Sequence, residues 1–305
     1  MPAGRFRSPA GIGTTAVLRT RAPDPCCGPA CRVAVVNALE HWRSALRSWA
    51  IPEEILAAAP ESPYGFPTEL FRRRAERAAE SEPTPTTLRA LDALPAGGSV
   101  LDVGVGAGST SLALASRASL IVGVDVSQDM LAAFRETAQA AGVAARTVHG
   151  IWPDVASEVE PADVVVCGHV FYNVQDLEPF VHQLTAHARR RVVVELTGHH
   201  PLAWMNDLWQ RFHTLDRPAG PTADDAERAL LELGLDPGRA RLEAPGSGGF
   251  DRREDAVALV RRRLCLPPDR DAEIAEALGG RLAERDGLWS AGPIVQAVET
   301  LWWDR

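Results

Sequence analysis

Apolar positions along this chain switch between two spacings. Val36, Leu39, Trp42, Leu46 and Trp49 recur every three or four residues, which is one face of a helix. Pro52-Glu53-Glu54 opens a second, short helix, with proline in the first turn and acids at the positive end of the dipole. Thr68 is the predicted cap of a third helix carrying Leu70, Phe71 and Ala75, and residues 86–94 read as a fourth. Short, largely apolar runs then take over at 100–103, 120–124, 163–167 and 192–196, and residues 145–149 (Ala-Arg-Thr-Val-His) read as a further strand. Helical patterns at 127–141 and 177–188 lie between them. Apolar runs without alternation, separated by helices, are the mark of parallel strands buried on both faces. Leu202, Met205, Trp209 and Phe212 form a stripe on a helix starting at Pro201, and Thr222 caps an acid-led helix to Leu233. Residues 239–244 and 294–303 read as the last two strands. The expected fold class is α/β: a doubly wound, seven-stranded, mostly parallel sheet within residues 95–305. A helical preamble precedes it at 34–94, and a helical insertion, 251–283, precedes the final strand.

The first two strands enclose the most informative stretch. Asp102-Val103-Gly104-Val105-Gly106-Ala107-Gly108 follows an apolar run, a helix-like segment comes next, and the second run ends in Asp125. Strand, glycine turn, helix, strand, acid is a nucleotide-binding unit. Glycines let the backbone pass close to a ligand, a helix N-terminus offers free N–H groups, and Asp125 is placed to accept bonds from a ribose diol. Dinucleotide enzymes space their glycines G-x-G-x-x-G, but here the third dinucleotide position holds Ser109. Asp-x-Gly-x-Gly-x-Gly instead resembles motif I of the class I S-adenosylmethionine (SAM)-dependent methyltransferases.

That resemblance implies SAM as cofactor and a final strand running antiparallel between the fifth and sixth. It implies a cofactor site built from Asp102, Gly104, Gly106, Gly108 and Asp125, with Val126, Met130, Trp152, Cys167 and His169 around it. Relatives place Gly-Asp after the third strand, with the acid near the adenine amine, where this chain has Gly150-Ile151; either the backbone or Asp154 is expected to take that role, and Trp152 to pack on the purine. Gly168-His169-Val170-Phe171-Tyr172-Asn173 and Thr197-Gly198-His199-His200 end the fourth and fifth strands, so His169, His199 and His200 are candidate bases on one rim. Tyr64, Phe66, Tyr172 and Asn173 are candidates for lining the acceptor site. A dinucleotide oxidoreductase and a SAM-binding module without catalysis are the competing readings.

Composition removes other chemistry. All 32 basic residues are arginine, so Schiff-base enzymes and P-loop nucleotide hydrolases, which need a lysine amine, are excluded. No apolar run reaches membrane-spanning length. A net charge of −8 argues against a broad nucleic-acid footprint, although arginine triplets at 72–74, 189–191 and 261–263 keep RNA open as acceptor; a small molecule is favoured. The rim histidines match no standard metal spacing, so no metal is expected. Five cysteines without a disulfide framework point to a cytoplasmic protein.

Residues 1–33 differ from the rest. Five arginines against Asp24 give a charge of +4, there is no periodicity, and Cys26, Cys27 and Cys31 lack a second ligand cluster for a metal. This stretch reads as a disordered tail, or as the product of an upstream start. A chain starting at Val33 is expected to keep both its melting temperature and its SAM affinity. A large drop in either, by thermal unfolding and calorimetry, would show that the tail is packed or functional.

Overall fold

The computed structural model describes residues 37–65, 67–245 and 249–305. The predicted tail, its cysteine cluster, Val36 and Phe66 lie outside the described residues. Strands β1 (Gly98–Val103), β2 (Ala118–Asp125), β3 (Ala144–His149), β4 (Ala162–Gly168), β5 (Ala188–Thr197), β6 (Gly238–Pro245) and β9 (Val295–Asp304) form one sheet; β7 (Leu282–Arg285) and β8 (Leu288–Ala291) pair as a separate hairpin. The order is β3-β2-β1-β4-β5-β9-β6, with β9 antiparallel to both neighbours and the other pairs parallel. This is the seven-stranded topology that the resemblance implies. The β7–β8 hairpin was not anticipated; it falls in the stretch between the insertion and the last strand.

Period-two alternation divides the strands between two cores. Val100, Val164, Val166 and Val193 face helices α3 (Thr68–Glu80), α4 (Pro85–Ala93) and α5 (Gln128–Ala140), with Phe134 at the centre. Leu101, Val165, Cys167, Val192 and Val194 face the other way. They pack against Trp42 and Leu46 of α1 (Ala38–Arg47) and the apolar sides of α6 (Leu177–His187) and α8 (Ala223–Glu232). Helix starts follow their capping chemistry: Ser127 accepts from the Met130 N–H, Thr222 and Asp225 form a capping box, and Thr84 accepts from Thr87. Thr68 does not cap α3; Pro67 holds that position and no side chain caps the helix.

Three segments far apart in sequence share a third core. Ile51, Ile55 and Leu56 around α2 (Glu53–Ala58) meet Met205, Leu208 and Trp209 around α7 (Asn206–His213). Val257, Val260 and Leu264 of α9 (Arg253–Arg263) and Ile274 and Leu278 of α10 (Asp271–Leu278) complete it. The expected stripe on the helix after Pro201 is therefore core.

The arginine triplet at 261–263 is held against a loop of the chain. Arg263 is buried and donates to the carbonyls of Pro63 (2.5 Å) and Gly65 (2.9 Å), Arg262 donates to the same Gly65 carbonyl, and Arg261 pairs with Glu61 and Asp271. The guanidinium fork suits this, because it can bond several carbonyls of one loop while its stem stays apolar. Arg189–Arg191 begin β5 rather than following α6, and Arg191 pairs with Asp304 on β9.

Gly123, in the middle of β2, marks the tightest contact between the sheet and α5. A Cβ there would lie 2.8 Å from Phe134 Cε1 and 2.9 Å from Val105 Cγ1. Gly123→Ala is expected to destabilise the fold by about 1–3 kcal/mol in urea unfolding, as overpacking does. An unchanged midpoint would mean that Phe134 can move at little cost.

Candidate functional site

The site grows from the end of β1. Its glycine turn curls back over β2: the N–H groups of Gly104 and Val105 donate to the Val124 carbonyl at 2.8 and 3.0 Å, and the Gly106 N–H donates to Asp125 Oδ2 at 2.9 Å. Gly104, Gly106 and Gly108 all take the left-handed conformation, with φ of +76°, +52° and +95°. Their surroundings differ. A Cβ on Gly104 would strike Val170 Cγ2 at 2.2 Å, and one on Gly108 would strike Leu112 and Phe134 at 2.7–2.9 Å. These two glycines serve packing. At Gly106 the nearest atom is Phe71 Cδ1 of α3 at 3.5 Å, an ordinary contact distance. The expected helix after the turn is a single 3-10 turn, Leu112–Leu114. Nine residues separate Gly108 from β2, and they begin with Ser109-Thr110-Ser111, whose hydroxyls compete for backbone bonds.

Asp125 ties this corner together. Its second oxygen, Oδ1, accepts from the Ser127 N–H at 2.9 Å, so one carboxylate links the glycine turn to the start of α5. Met130 lies half-buried in the first turn of α5. Beyond the strand tips, Val126 is 63% exposed and Ile151 is 61% exposed. They follow the neighbouring ends of β2 and β3, where Asp125 pairs with His149, and His149 Nε2 lies 3.0 Å from the Val126 carbonyl.

Trp152, expected against a purine, is placed elsewhere. It is 6% exposed, packed edge-on to His187, and its Nε1 donates to the Phe180 carbonyl at 3.3 Å. Adjacent residues in a tight loop point in opposite directions, and burying the indole releases more apolar surface than burying isoleucine. The outward apolar position therefore falls to Ile151, which sequence reasoning noted only as a departure from Gly-Asp.

Asp102 lies beneath the turn, not at its surface. It is fully buried, and neither carboxylate oxygen has a hydrogen-bond partner among the described residues. Burial pushes its carboxyl up to about 7; the nearby Ser111 draws it down and the charge of Asp125 adds to the rise. Cys167 is equally buried, and burial together with Asp102 raises its thiol. Neither reaches the rim.

The three histidines have different neighbours. His169 follows β4 in a left-handed conformation, φ +59°, with 44% of its side chain exposed. Its backbone N–H donates to the Glu195 carbonyl at 2.7 Å and its Nε2 lies 3.1 Å from Glu195 Oε1. Burial works to raise the Glu195 carboxyl, but the bond and charge of His169 and the Thr86 hydroxyl outweigh it and hold it below the usual range. His200 is stacked on Trp49, with centroids 3.7 Å apart, and edge-on to Tyr172. Burial, with the charge of Arg217 beside it, pushes the His200 imidazole down to about 3, so at neutral pH it is uncharged and a weak base. His199 is exposed, and its backbone bridges Thr222. Tyr172 is buried, with its hydroxyl donating to the Thr197 carbonyl at 2.7 Å, while Asn173 and Tyr64 are exposed. Among the described residues, no group of three or more His, Cys, Asp or Glu side chains is placed to hold a metal ion.

Residues 100–191 match the family described as "Methyltransferase domain". This stretch of the chain is a methyltransferase domain. A curated relative, an uncharacterized protein of Haemophilus influenzae, is 34% identical over 94 residues; the alignment covers 30% of this chain and 35% of that protein. Among solved structures, the YcgJ protein of Bacillus subtilis is 18% identical with a TM-score of 0.49, covering 75% of this chain and 99% of that one. Magnesium protoporphyrin IX methyltransferase of Synechocystis PCC 6803, solved with bound SAH, is 14% identical with a TM-score of 0.43, covering 88% and 96%.

The buried acid of the methyltransferase domain predicts a pH signature. The folded state holds the Asp102 proton up to about pH 7, while the unfolded chain releases it near 3.8, the ordinary value for an aspartate. The folded pKa is the higher one, so the unfolded state binds fewer protons between these values, and stability falls as pH rises through this window. Asp102→Asn abolishes the slope. Relative to wild type, it is expected to gain on the order of 2–4 kcal/mol between pH 4 and pH 8 in chemical unfolding. Parallel curves for the two proteins would mean that Asp102 ionises freely.

Proposed function

We propose that this protein transfers a methyl group from SAM to a nucleophile of a small molecule. The observation that carries this reading is the bond from the Gly106 N–H to Asp125, which sets a left-handed glycine and a strand-end carboxylate in one corner. The residues suit the cofactor. Asp125, fully bonded on its inner side, retains outward lone pairs for a ribose diol. Val126 and Ile151 offer exposed apolar surface for a purine, and Gly106 permits close approach with no side chain of its own. Bound SAM supplies a methyl group already activated on a sulfonium, so positioning and exclusion of water are the protein's main tasks.

Of the predicted acceptor-lining residues, exposed Tyr64 and Asn173 suit that role, and buried Tyr172 suits packing. His169 is the base on this reading: it is half-exposed, paired to a carboxylate, and next to Val170, which fills the space beside Gly104. A cytoplasmic setting accords with free, buried Cys167 and Cys265. RNA is the weaker reading of the acceptor, because Arg72 pairs with Glu136, Arg73 with Asp251 and Arg261 with Glu61. Arginines already neutralised by acids release few counterions from a phosphate backbone.

Calorimetry with SAM tests the reading. Asp125→Ala removes a charge-assisted acceptor worth about 1.5–3 kcal/mol, so affinity is expected to fall about ten- to a hundred-fold, while NAD(P) gives no heat with the wild-type protein. Unchanged SAM affinity in a folded Asp125→Ala protein, or binding of NAD(P) in place of SAM, would overturn the assignment.

A further inference from the structure

A cavity of about 380 Å³ lies between α3 and α9, and neither Gly106 nor Asp125 lines it. The two places use different sides of α3. Phe71 is the residue nearest Gly106, whereas Leu70, its neighbour about 100° round the helix, lines the cavity. Leu70 is buried against the backbone of Gly249, which also lines the cavity. A bidentate pair ties the walls together: Arg73 of α3 donates to both carboxylate oxygens of Asp251, just before α9, at 3.0 and 2.7 Å. The walls are thus set before any ligand arrives, which lowers the cost of binding one.

The lining carries charge of both signs, and most of it is already matched. Arg73 pairs with Asp251 and, at 3.1 Å, with Glu69; Arg261 pairs with Glu61 at 3.3 Å and with Asp271 at 3.0 Å. Asp255 and Arg262 remain. Asp255 has no hydrogen bond or ion pair among the described residues. Arg262 has no carboxylate partner there: its Nη2 donates to the Gly65 carbonyl at 2.9 Å, its Nε is buried without a partner, and its Nη1 has none. A carbonyl is only a dipole, so the guanidinium charge stays uncompensated. Both unmatched groups come from α9, seven residues apart. They therefore share one face of the helix, about 10 Å apart along its axis. Leu259, four residues after Asp255, stands between them, and Leu70 and Phe250 add apolar surface. This wall reads acid, apolar, base.

We propose that the cavity binds a small, elongated zwitterion, with its cationic end at Asp255, its apolar body over Leu259 and Leu70, and its anionic end at Arg262. A ligand with one charge would meet one of the two groups and leave the other unmatched. A compact zwitterion such as glycine cannot span them. The site needs no cofactor, so it stands or falls separately from the methyl-transfer reading. Asp255 also lies in the first turn of α9, where a carboxylate favours the helix dipole, so the test reads ligand affinity rather than melting.

Calorimetry of the full chain with ε-aminocaproate, caproate, hexylamine and glycine tests the proposal. ε-Aminocaproate is expected to bind saturably, and the other three about ten- to a hundred-fold more weakly, the loss that follows from one charge-assisted contact. Asp255 is exposed, so Asp255→Asn is expected to fold, and to weaken ε-aminocaproate by the same factor; Arg262→Gln is expected to do likewise. The Leu259 methyl NMR signals, assigned by their loss in Leu259→Met, are expected to shift on binding. No saturable binding of ε-aminocaproate, equal binding of hexylamine or caproate, or unchanged affinity in Asp255→Asn overturns the proposal. Binding that leaves the Leu259 signals in place overturns it too, because the ligand would then sit elsewhere.

Discussion

Burial of the central strands on both faces is the constraint from which the rest of this molecule follows. β1 and β4 place valine or leucine toward helices on one side and on the other, so charge along them would be stripped of water without compensation. Polar chemistry is therefore driven to the strand ends, where the chain turns. The glycine turn, Asp125, His169 and the exposed Val126 and Ile151 all lie within a few residues of a strand terminus. Asp102 and Glu195 break the rule, and they do so differently. Asp102 is buried with no bonded partner among the described residues and its carboxyl is pushed toward neutrality, whereas Glu195 accepts from Thr86, faces His169 at 3.1 Å and is held below the usual carboxylate range.

Much of the scaffold was legible because its signals are local. The apolar runs located the parallel strands to within a few residues, since a strand buried on both faces cannot conceal its composition. Ser127 and Thr222 announced their helices through capping chemistry that needs only neighbours in sequence. The helix expected after the glycines failed on length, because nine residues must both turn and return to the sheet.

The site was less legible, and for a physical reason. Whether Ile151 or Trp152 faces outward depends on the volume available beneath the loop, which is set by α6, about thirty residues further on. The three histidines are alike in sequence and in strand-end position. Trp49, from the first helical segment, removes His200 from proton chemistry, while a strand register assigns Glu195 to His169. Similarly, the triplet at 261–263 reads as a charged helix face until the carbonyls of residues 63 and 65 are seen against it. Such partners lie some 200 positions away, beyond any periodicity argument.

The placement of β9 between β5 and β6 has a consequence for the order of assembly. Thr300 lies 214 positions after Thr86, and it reaches the Thr86 hydroxyl only when β9 has inserted beside β5. A chain in which the parallel strands have paired but β9 has not would already have the glycine turn and Asp125. Its Thr86, the residue that bonds Glu195, would still lack the Thr300 hydroxyl behind it. Cofactor capture and readiness of the histidine would thus mature at different moments of folding, with the slower, long-range pairing completing the second.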